Sequence, residues 1–228
     1  MWRERRIGVL AGGLSEEAKV SLASGQGVLK ALGELGLDAV LVELGDNAPW
    51  QAIDSAKIDV AFLVTHGVYG EDGCLQGMLE WMGIPYVGSG SEASALAMDK
   101  MATKSKADDI GVRTPAACVV PRSGTIDLQP PFVLKPIDEG SSVGVRMVAD
   151  LADLPPILKE LRSSHARVMA EAFVSGRELT VTVLGADTLP PVEIEVSSGF
   201  YDYDAKYLRN DTRYTVSPLL PDGIEARM

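Results

Sequence analysis

Short runs of β-branched and other apolar residues alternate with helical patterns in the first half of the chain. The runs lie at residues 7–10, 39–42, 60–64 and 85–87. A helix over about residues 15–35 is predicted between the first two runs. Its apolar residues from Val28 to Leu35 recur on one helical face, and Gly36 is suited to end it. The alternation predicts a parallel sheet with helices packed on it.

The pattern changes near residues 110–111. Residues 75–82 and 93–106 still carry helical patterns, and a turn signal follows at residues 110–111. Beyond it come mostly strand-like runs, at residues 118–121, 132–135, 143–148, 168–171, 179–184 and 192–196. One helix is predicted near residues 151–163, and the Tyr- and Asp-rich stretch at residues 198–214 is predicted to be an ordered loop. An α+β domain should therefore follow the α/β one.

Composition and charge narrow the class of protein. The chain has 228 residues, 46% of them hydrophobic and 23% charged, which is typical of one large or two small folded domains. Its 32 acidic and 21 basic residues give a formal charge of -11, which disfavours nucleic acid and anionic membrane surfaces as partners. An anionic nucleotide can still bind where a few lysines converge.

The chain shows no signal for export or membrane insertion. The apolar run at residues 7–11 is too short for the core of a signal peptide, and no uncharged apolar run approaches the roughly 20 residues of a membrane span. Cys74 and Cys118 are too few for a disulfide framework. We therefore expect a cytoplasmic protein.

Two glycine-rich segments follow strands of the predicted parallel sheet. Residues 12–17 open a helix, where backbone N–H groups favour a negative ligand group and Glu17 could hold an ammonium ion. The loop at residues 66–73 contains His66 and lies at the sheet edge where open α/β folds bind ligands. The simpler interpretations are that Glu17 only stabilises the helix end and that the His66 loop is an ordinary turn.

A second group of residues is suited to phosphate. Lys100, Lys135 and the Gly/Ser loop at residues 139–144, which begins with Glu139 and includes Ser142, supply ammonium groups, hydroxyls and backbone N–H groups. Neither G-x-x-x-x-G-K-[ST] nor G-x-G-x-x-G is present, so a flexible surface hairpin with solvated lysines is the alternative.

Two further segments complete a hypothetical nucleotide site. Glu171, Phe173 and Val174 combine a carboxylate with an apolar surface suitable for a purine, and Glu178 follows closely. The aromatic loop at residues 200–207 carries Lys206 and could act as a lid that excludes water. Ordinary packing would explain both segments too.

Taken in order, seven segments spread over about 200 residues resemble D-alanine:D-alanine ligases of the ATP-grasp superfamily. They are residues 12–22, 66–73, 88–90, 98–100, 135–136, 139–144 and 200–207. In that family ATP phosphorylates the carboxylate of one D-alanine, and the amine of a second attacks the acyl phosphate. The resemblance therefore implies an ADP-forming ligase that makes D-alanyl-D-alanine for peptidoglycan precursors and cell-wall synthesis.

The resemblance also implies roles for individual residues on the amino-acid side. Glu17 would bind the ammonium of the first D-alanine, with Ser141 and Tyr207 hydrogen-bonded to it, and His66 would lie beside that substrate. Depsipeptide-forming relatives replace the tyrosine, so Tyr207 implies an amine nucleophile.

On the ATP side, Lys100 and Lys135 would contact phosphates, and Ser142 with its neighbours would cover them. Glu178 would accept from ribose, and Lys206 would approach the transferring phosphoryl group. Ala172 departs from the family, which commonly has a Lys near the adenine.

The implied fold has three parts. A Rossmann-like domain at residues 1–96 would precede a central ATP-grasp subdomain at residues 97–178 and the start of a C-terminal ATP-grasp subdomain at residues 179–228. The family continues into an Arg for the oxyanion, an Asp, Glu and Asn set for two Mg²⁺ (or Mn²⁺) ions and a loop for the second D-alanine. We therefore expect a truncated ATP-grasp domain that is inactive by itself. D-alanine-dependent ADP release at about 1 to 100 per second would contradict this expectation.

Two alternatives stay open at this point. The chain could belong to another ATP-grasp carboxylate–amine ligase with a different amino-acid substrate, or it could be a non-catalytic remnant that binds ATP or D-alanine. A homodimer is one assembly that the resemblance allows.

Overall fold

The computed structural model describes residues 2–15, 17–45, 48–197, 201–202, 205–206 and 209–228. Its N-terminal part is a parallel sheet of four strands: β1 (Ile7–Gly12), β2 (Ala39–Leu44), β3 (Val60–Leu63) and β4 (Tyr86–Val87). The strand order is β2-β1-β3-β4, so the chain reverses its winding direction between β1 and β3. The carboxyl edge beside such a reversal is where open α/β sheets bind ligands.

Helices cover both faces of this sheet. They are α1 (Ala18–Glu34), α2 (Pro49–Ala56) and α3 (Cys74–Met82). All six residues of β1 are buried, as expected for a central strand that is covered on both sides. The α2 and α3 face forms one core, which consists of Leu10, Val42, Leu44, Ile53, Ala61, Leu75 and Leu79. Two further helices, α4 (Ser91–Met98) and α5 (Lys100–Asp109), lead out of the sheet.

An antiparallel sheet of four strands follows. It contains β5 (Ala117–Val119), β6 (Phe132–Pro136), β7 (Arg146–Val148) and β8 (Val168–Ala172), in the order β5-β8-β6-β7. Helix α6 (Leu154–Ser164) packs on one face, where Phe132, Leu134, Leu158 and Leu161 join one buried cluster. Because side chains alternate along a strand, Lys135 lies on the opposite face of β6 from that cluster.

The last part of the chain forms a smaller sheet. Its strands are β9 (Glu178–Thr180), β12 (Val192–Glu195) and β13 (Arg213–Val216), in the order β13-β12-β9. A hairpin of β10 (Val183–Leu184) and β11 (Asp187–Thr188) connects β9 to β12. The predicted domain boundary at residues 96–97 lies within α4, and the one at residues 178–179 lies at the first residues of β9. Both boundaries stay predictions.

The structure corrects several predicted elements. Helix α2 was not predicted, because eight residues that begin at Pro49 give little periodicity. The single helical segment at residues 93–106 is two helices, since the Asp99 side chain accepts hydrogen bonds from the N–H groups of Met101 and Ala102 and begins α5 there. The carboxylate acts as an N-cap in the middle of the predicted run.

Three predicted strands or loops also have other bounds. The run at residues 143–148 is a strand only from Arg146, because the Gly/Ser loop occupies the residues before it. The run at residues 179–184 is divided between β9 and β10. The predicted loop at residues 198–214 ends earlier than expected, since β13 pairs with β12 from Arg213 onward.

Within the described ranges, no helix is both long and apolar enough to cross a membrane.

Gly25 brings α1 unusually close to the sheet. A Cβ at this position would lie 2.7 Å from Cβ of Ala11 and 3.1 Å from Cδ1 of Leu41. Gly27 lies two residues further along the same helix, and a Cβ added there would meet nothing within 4 Å. An alanine at Gly25 therefore tests the packing of the helix on the sheet, whereas an alanine at Gly27 tests helix propensity alone.

We expect Gly25→Ala to destabilise the chain by about 1–3 kcal/mol, because the added methyl group overpacks the helix–sheet interface. Gly27→Ala should instead stabilise it by roughly 0.5–1 kcal/mol, since alanine is the better helix former and meets no neighbour. Urea unfolding followed by circular dichroism measures both changes. Equal effects of the two substitutions would show that α1 does not pack as described.

Candidate active site

The carboxylate of Glu17 is the point at which three loops meet. Glu17 is only 4% exposed and lies immediately before α1. The Ser141 hydroxyl, from the Gly/Ser loop after β6, donates a hydrogen bond to Glu17 Oε1. Hypothetical Cβ atoms on Gly67 and Gly140 would lie 3.4 and 3.5 Å from Glu17 Oε2. The loops after β1, β3 and β6 therefore share one buried acid.

Hydroxyl groups hold the loops after β1 and β3 together. Ser15 Oγ donates to the carbonyl oxygen of His66 at 2.8 Å. The buried Ser21 hydroxyl donates to the carbonyl of Val64 at 2.6 Å and accepts from the N–H of Gly12 at 2.8 Å. These bonds satisfy backbone groups at the carboxyl edge of the sheet, where strand pairing has ended. The position of His66 relative to Glu17 is fixed in this way.

Glu71 pairs with His66 within the same loop. Its Oε1 lies 3.4 Å from His66 Nδ1, and its Oε2 accepts the N–H of Gly67 at 2.8 Å. The hydrogen bond with Glu71 raises the pKa of His66 above its ordinary value of 6.5, and burial opposes this only in part. Burial alone would raise the pKa of Glu71, but the bonds from His66 and Gly67 lower it. The pair therefore favours a protonated imidazole.

The Gly/Ser loop has a backbone conformation that few residues adopt. Ser141 and Ser142 have φ angles of 45° and 62°, and Gly144 has 69°. Positive φ values at two consecutive serines are costly and are typical of sites where the surroundings impose the conformation. Ser142 Oγ also donates to the carbonyl of Tyr201 at 2.9 Å, which connects the loop to the segment after β12.

A cavity of about 220 Å³ lies under this loop. Its lining includes both predicted phosphate lysines, Lys100 and Lys135, with Glu139, Ser141 and Ser142. Lys100 Nζ donates to the carbonyls of Ile137, at 3.2 Å, and Glu139. Burial lowers the pKa of Lys100, and the nearby charge of Lys135 acts in the same direction. Two ammonium groups are thus held close together, as an anionic ligand would require.

The predicted purine and lid residues belong to the segments that follow β8 and β12. Phe173 and Val174 follow β8 directly and are exposed, and Glu178 begins β9. The Lys206 ammonium lies 5.2 Å from the centre of the Tyr201 ring. Burial lowers the pKa of Lys206, while the charges of Glu17 and Glu178 oppose that shift, so both carboxylates lie near it. Tyr207 lies outside the described residues.

Two residues of this region were missed by the sequence reasoning. Glu71 contacts His66, and Lys104 lies 2.6 Å from Glu171, which also contacts Lys135. A weak signal exists for each: Glu71 stands in the loop of His66, and Lys104 stands one helical turn after Lys100. Glu171 is distant from Lys104 in sequence, and the contact of Glu71 with His66 depends on the shape of their loop. The sequence alone therefore does not predict either pairing.

An apolar cavity of about 310 Å³ adjoins His66 on the α2 and α3 side of the sheet. Its walls include Leu14, Trp50, Tyr69 and Met78.

The family resemblance also implies a site for metal ions. Within the described part of the chain, no group of three or more His, Cys, Asp or Glu residues could hold a metal ion. These residues do not fit the Mg²⁺ that the resemblance implies.

Comparisons with known proteins show the family. A family model described as D-ala D-ala ligase C-terminus matches residues 116–228, and one described as D-ala D-ala ligase N-terminus matches residues 51–89. The chain is 44% identical to a D-alanine--D-alanine ligase of Stutzerimonas stutzeri, over 97% of this chain and 70% of that protein. The chain belongs to the D-alanine–D-alanine ligase family.

Solved structures of this family share the fold. A D-alanine--D-alanine ligase from Bacillus anthracis aligns with a TM-score of 0.81 at 35% identity, over 95% of this chain and 73% of that one. The complex of the Bacillus anthracis ligase with ATP aligns with a TM-score of 0.79 at 31% identity, over 95% and 72% of the two chains. The predicted fold class, a parallel α/β sheet followed by ATP-grasp sheets, is confirmed. The roles of the individual site residues stay predictions.

The His66–Glu71 pair can be tested by titration. We expect the NMR-measured pKa of His66 to lie above 6.5 and to fall in Glu71→Gln, because the ring loses a hydrogen-bonded carboxylate. His66 and His165 are the two histidines of the sequence, so a His165→Gln spectrum assigns the signals. Asp72→Asn is the matched control: it removes a charge from the same loop, but this side chain bonds the N–H groups of Tyr69 and Cys74.

The raised pKa of His66 also predicts how the stability of the fold changes with pH. Because the folded pKa of His66 lies above the unfolded value, its stabilising effect is fully present below about pH 6.5 and is lost as the pH rises through the folded pKa. His66→Gln should therefore cost more stability at pH 5.5 than at pH 8.5 in urea unfolding. A cost that grows with pH would contradict the pairing.

Proposed function

We propose that this protein takes part in the ATP-dependent joining of two D-alanine molecules. The carboxylate of the first D-alanine takes the γ-phosphoryl group of ATP, and ADP is released. The amine of the second D-alanine attacks the acyl phosphate, loses a proton and expels inorganic phosphate. The product would be D-alanyl-D-alanine, a precursor for peptidoglycan and the cell wall, made in the cytoplasm.

One observation carries this proposal: the Ser141 hydroxyl bonds to the Glu17 carboxylate. Glu17 belongs to the edge of the parallel sheet, and Ser141 belongs to the loop over the lysine-lined cavity. An amino acid held by its ammonium group at Glu17 would direct its carboxylate toward a nucleotide in that cavity. Proximity of this kind can account for a large part of the rate of a ligation.

Each residue on the amino-acid side has a proposed part. Glu17 would bind the ammonium of the first D-alanine, with Ser141 and Tyr207 keeping the carboxylate in place. The pairing with Glu71 favours the protonated form of His66, and in that form the ring would stabilise the substrate carboxylate by charge. Lys206 lies in the electrostatic field of Glu17 and would neutralise charge on the transferring phosphoryl group.

The nucleotide side uses the cavity under the Gly/Ser loop. The phosphates of ATP suit this cavity, because two lysines, two serine hydroxyls and the backbone of the Gly/Ser loop line it. Lys100 and Lys135 would contact phosphates, and Glu139 and Ser142 would hold the loop over them. Beyond the cavity, the purine would pack on Phe173 and Val174 near Glu171, and the ribose would donate to Glu178.

Metal ions do not enter this proposal as a step. Mg²⁺ is an expectation from the family, and the described residues do not form a site for it. A homodimer and turnover by this 228-residue chain likewise stay predictions. The alternative is a ligase that acts on a different amino acid. Binding measurements with D-alanine, L-alanine and D-serine distinguish it from a D-alanine ligase.

Glu17→Gln provides the test on the amino-acid side. We expect it to weaken D-alanine binding by about 10- to 100-fold, because a charge-assisted hydrogen bond contributes roughly 1.5–3 kcal/mol. ATP affinity should change less than about threefold, since the substitution leaves the lysines in place. Isothermal titration calorimetry measures both affinities.

Glu34→Gln is the matched control, because Glu34 ends the same helix and its side chain is 68% exposed. Unchanged D-alanine affinity in Glu17→Gln would refute the assigned role of this carboxylate. Preference for L-alanine over D-alanine would instead favour the other ligase class.

A further inference from the structure

We propose that Lys104 is a positioning residue of the nucleotide site, which holds Glu171 so that Lys135 stays available to phosphate. This inference rests on the proposed ATP binding and adds a residue to it. Lys104 lies in the second turn of α5, four residues after Lys100. The same helix thus sends one lysine to the phosphate loop and another to β8.

The geometry is that of a shared carboxylate. Lys104 Nζ lies 2.6 Å from Glu171 Oε1, while Lys135 Nζ bonds to Glu171 Oε2. The side chains of Lys104 and Glu171 are each 14% exposed, and that of Lys135 is 20% exposed. Glu171 therefore gives one oxygen to each lysine within a largely buried cluster.

Lys104 is held as a structural partner and not as a ligand. Besides Glu171, its ammonium donates to the carbonyl of Pro115 at 2.7 Å. Lys104 is also absent from the lining of the cavity under the Gly/Ser loop, where Lys100 and Lys135 appear. Its effect on a nucleotide would have to pass through Glu171 and Lys135.

Charge explains what Lys104 contributes. The cluster of two lysines and one glutamate carries a net charge of +1, whereas the Lys135–Glu171 pair alone would be neutral. Without Lys104, both oxygens of Glu171 would be free to attract Lys135, and a buried pair of this kind holds its partners firmly. Burial would raise the pKa of Glu171, but the two lysines lower it, so the acid stays charged. Lys104 therefore keeps Glu171 from neutralising the phosphate lysine.

The test compares ATP with adenosine as probes. Calorimetry on the 228-residue chain should give about a 10-fold loss of ATP affinity in Lys104→Met, with adenosine affinity changed less than about twofold, because only the phosphates sense the lost charge. Lys106→Met is the matched control, since it removes the same charge from an exposed position on the same helix. It should leave both affinities within about twofold.

A second pair of variants tests the route of the effect. In a Glu171→Gln background, Lys135 has lost its carboxylate, so Lys104→Met should weaken ATP binding by less than about threefold. Lys104→Gln, which keeps a hydrogen-bond donor but not the charge, should behave like Lys104→Met in both backgrounds. It carries the test if the methionine variant does not fold, as judged by circular dichroism.

The possible failures are distinguishable. Equal losses of ATP affinity in the two backgrounds, or unchanged affinity in Lys104→Met and Lys104→Gln, would overturn the role of Lys104 while the unsubstituted chain still bound ATP. A parallel loss of adenosine affinity would overturn it too, because that would indicate general structural damage. Failure of the unsubstituted chain to bind ATP would overturn the proposed function and this inference with it.

Discussion

A single carboxylate, that of Glu17, joins the two halves of the candidate site. It is buried at the start of α1, accepts the hydroxyl of Ser141, and has the glycines of two loops against its second oxygen. A buried acid without such partners would be costly, so the Gly/Ser loop has a physical reason to sit over the edge of the parallel sheet. Ser141 reaches that acid from a backbone with a φ angle of 45°, a region that residues other than glycine rarely adopt.

Charge placement makes the site differ from the rest of the molecule. The chain as a whole carries -11, yet Lys100, Lys104 and Lys135 converge on one side of the antiparallel sheet. Carbonyl oxygens hold Lys100, and Glu171 is divided between the other two lysines. Positive charge is thereby fixed before any ligand arrives, which is the arrangement that lets a site stabilise a transferring phosphoryl group without reorganising.

Sequence patterns gave the strands of the parallel sheet, because buried strands leave continuous apolar runs such as residues 7–10 and 60–64. The predicted strand at residues 132–135 corresponds to β6, so Lys135 lies near its end and the Gly/Ser loop follows it, whereas Lys100 begins α5. Short or interrupted elements were not predicted: α2 is only eight residues long, and Asp99 divides one predicted helical run into two helices because it is the N-cap of α5. The pairings of Lys104 with Glu171 and of Glu71 with His66 depend on three-dimensional placement, which no spacing rule supplies.

The most direct test of the account is a crystal structure of this chain with ADP and D-alanine bound. The account predicts the ammonium of D-alanine within hydrogen-bond distance of Glu17, and the ADP phosphates under the Gly/Ser loop between Lys100 and Lys135. It also predicts that the D-alanine carboxylate faces those phosphates. Phosphates bound away from both lysines, or D-alanine held by groups other than Glu17, would contradict it.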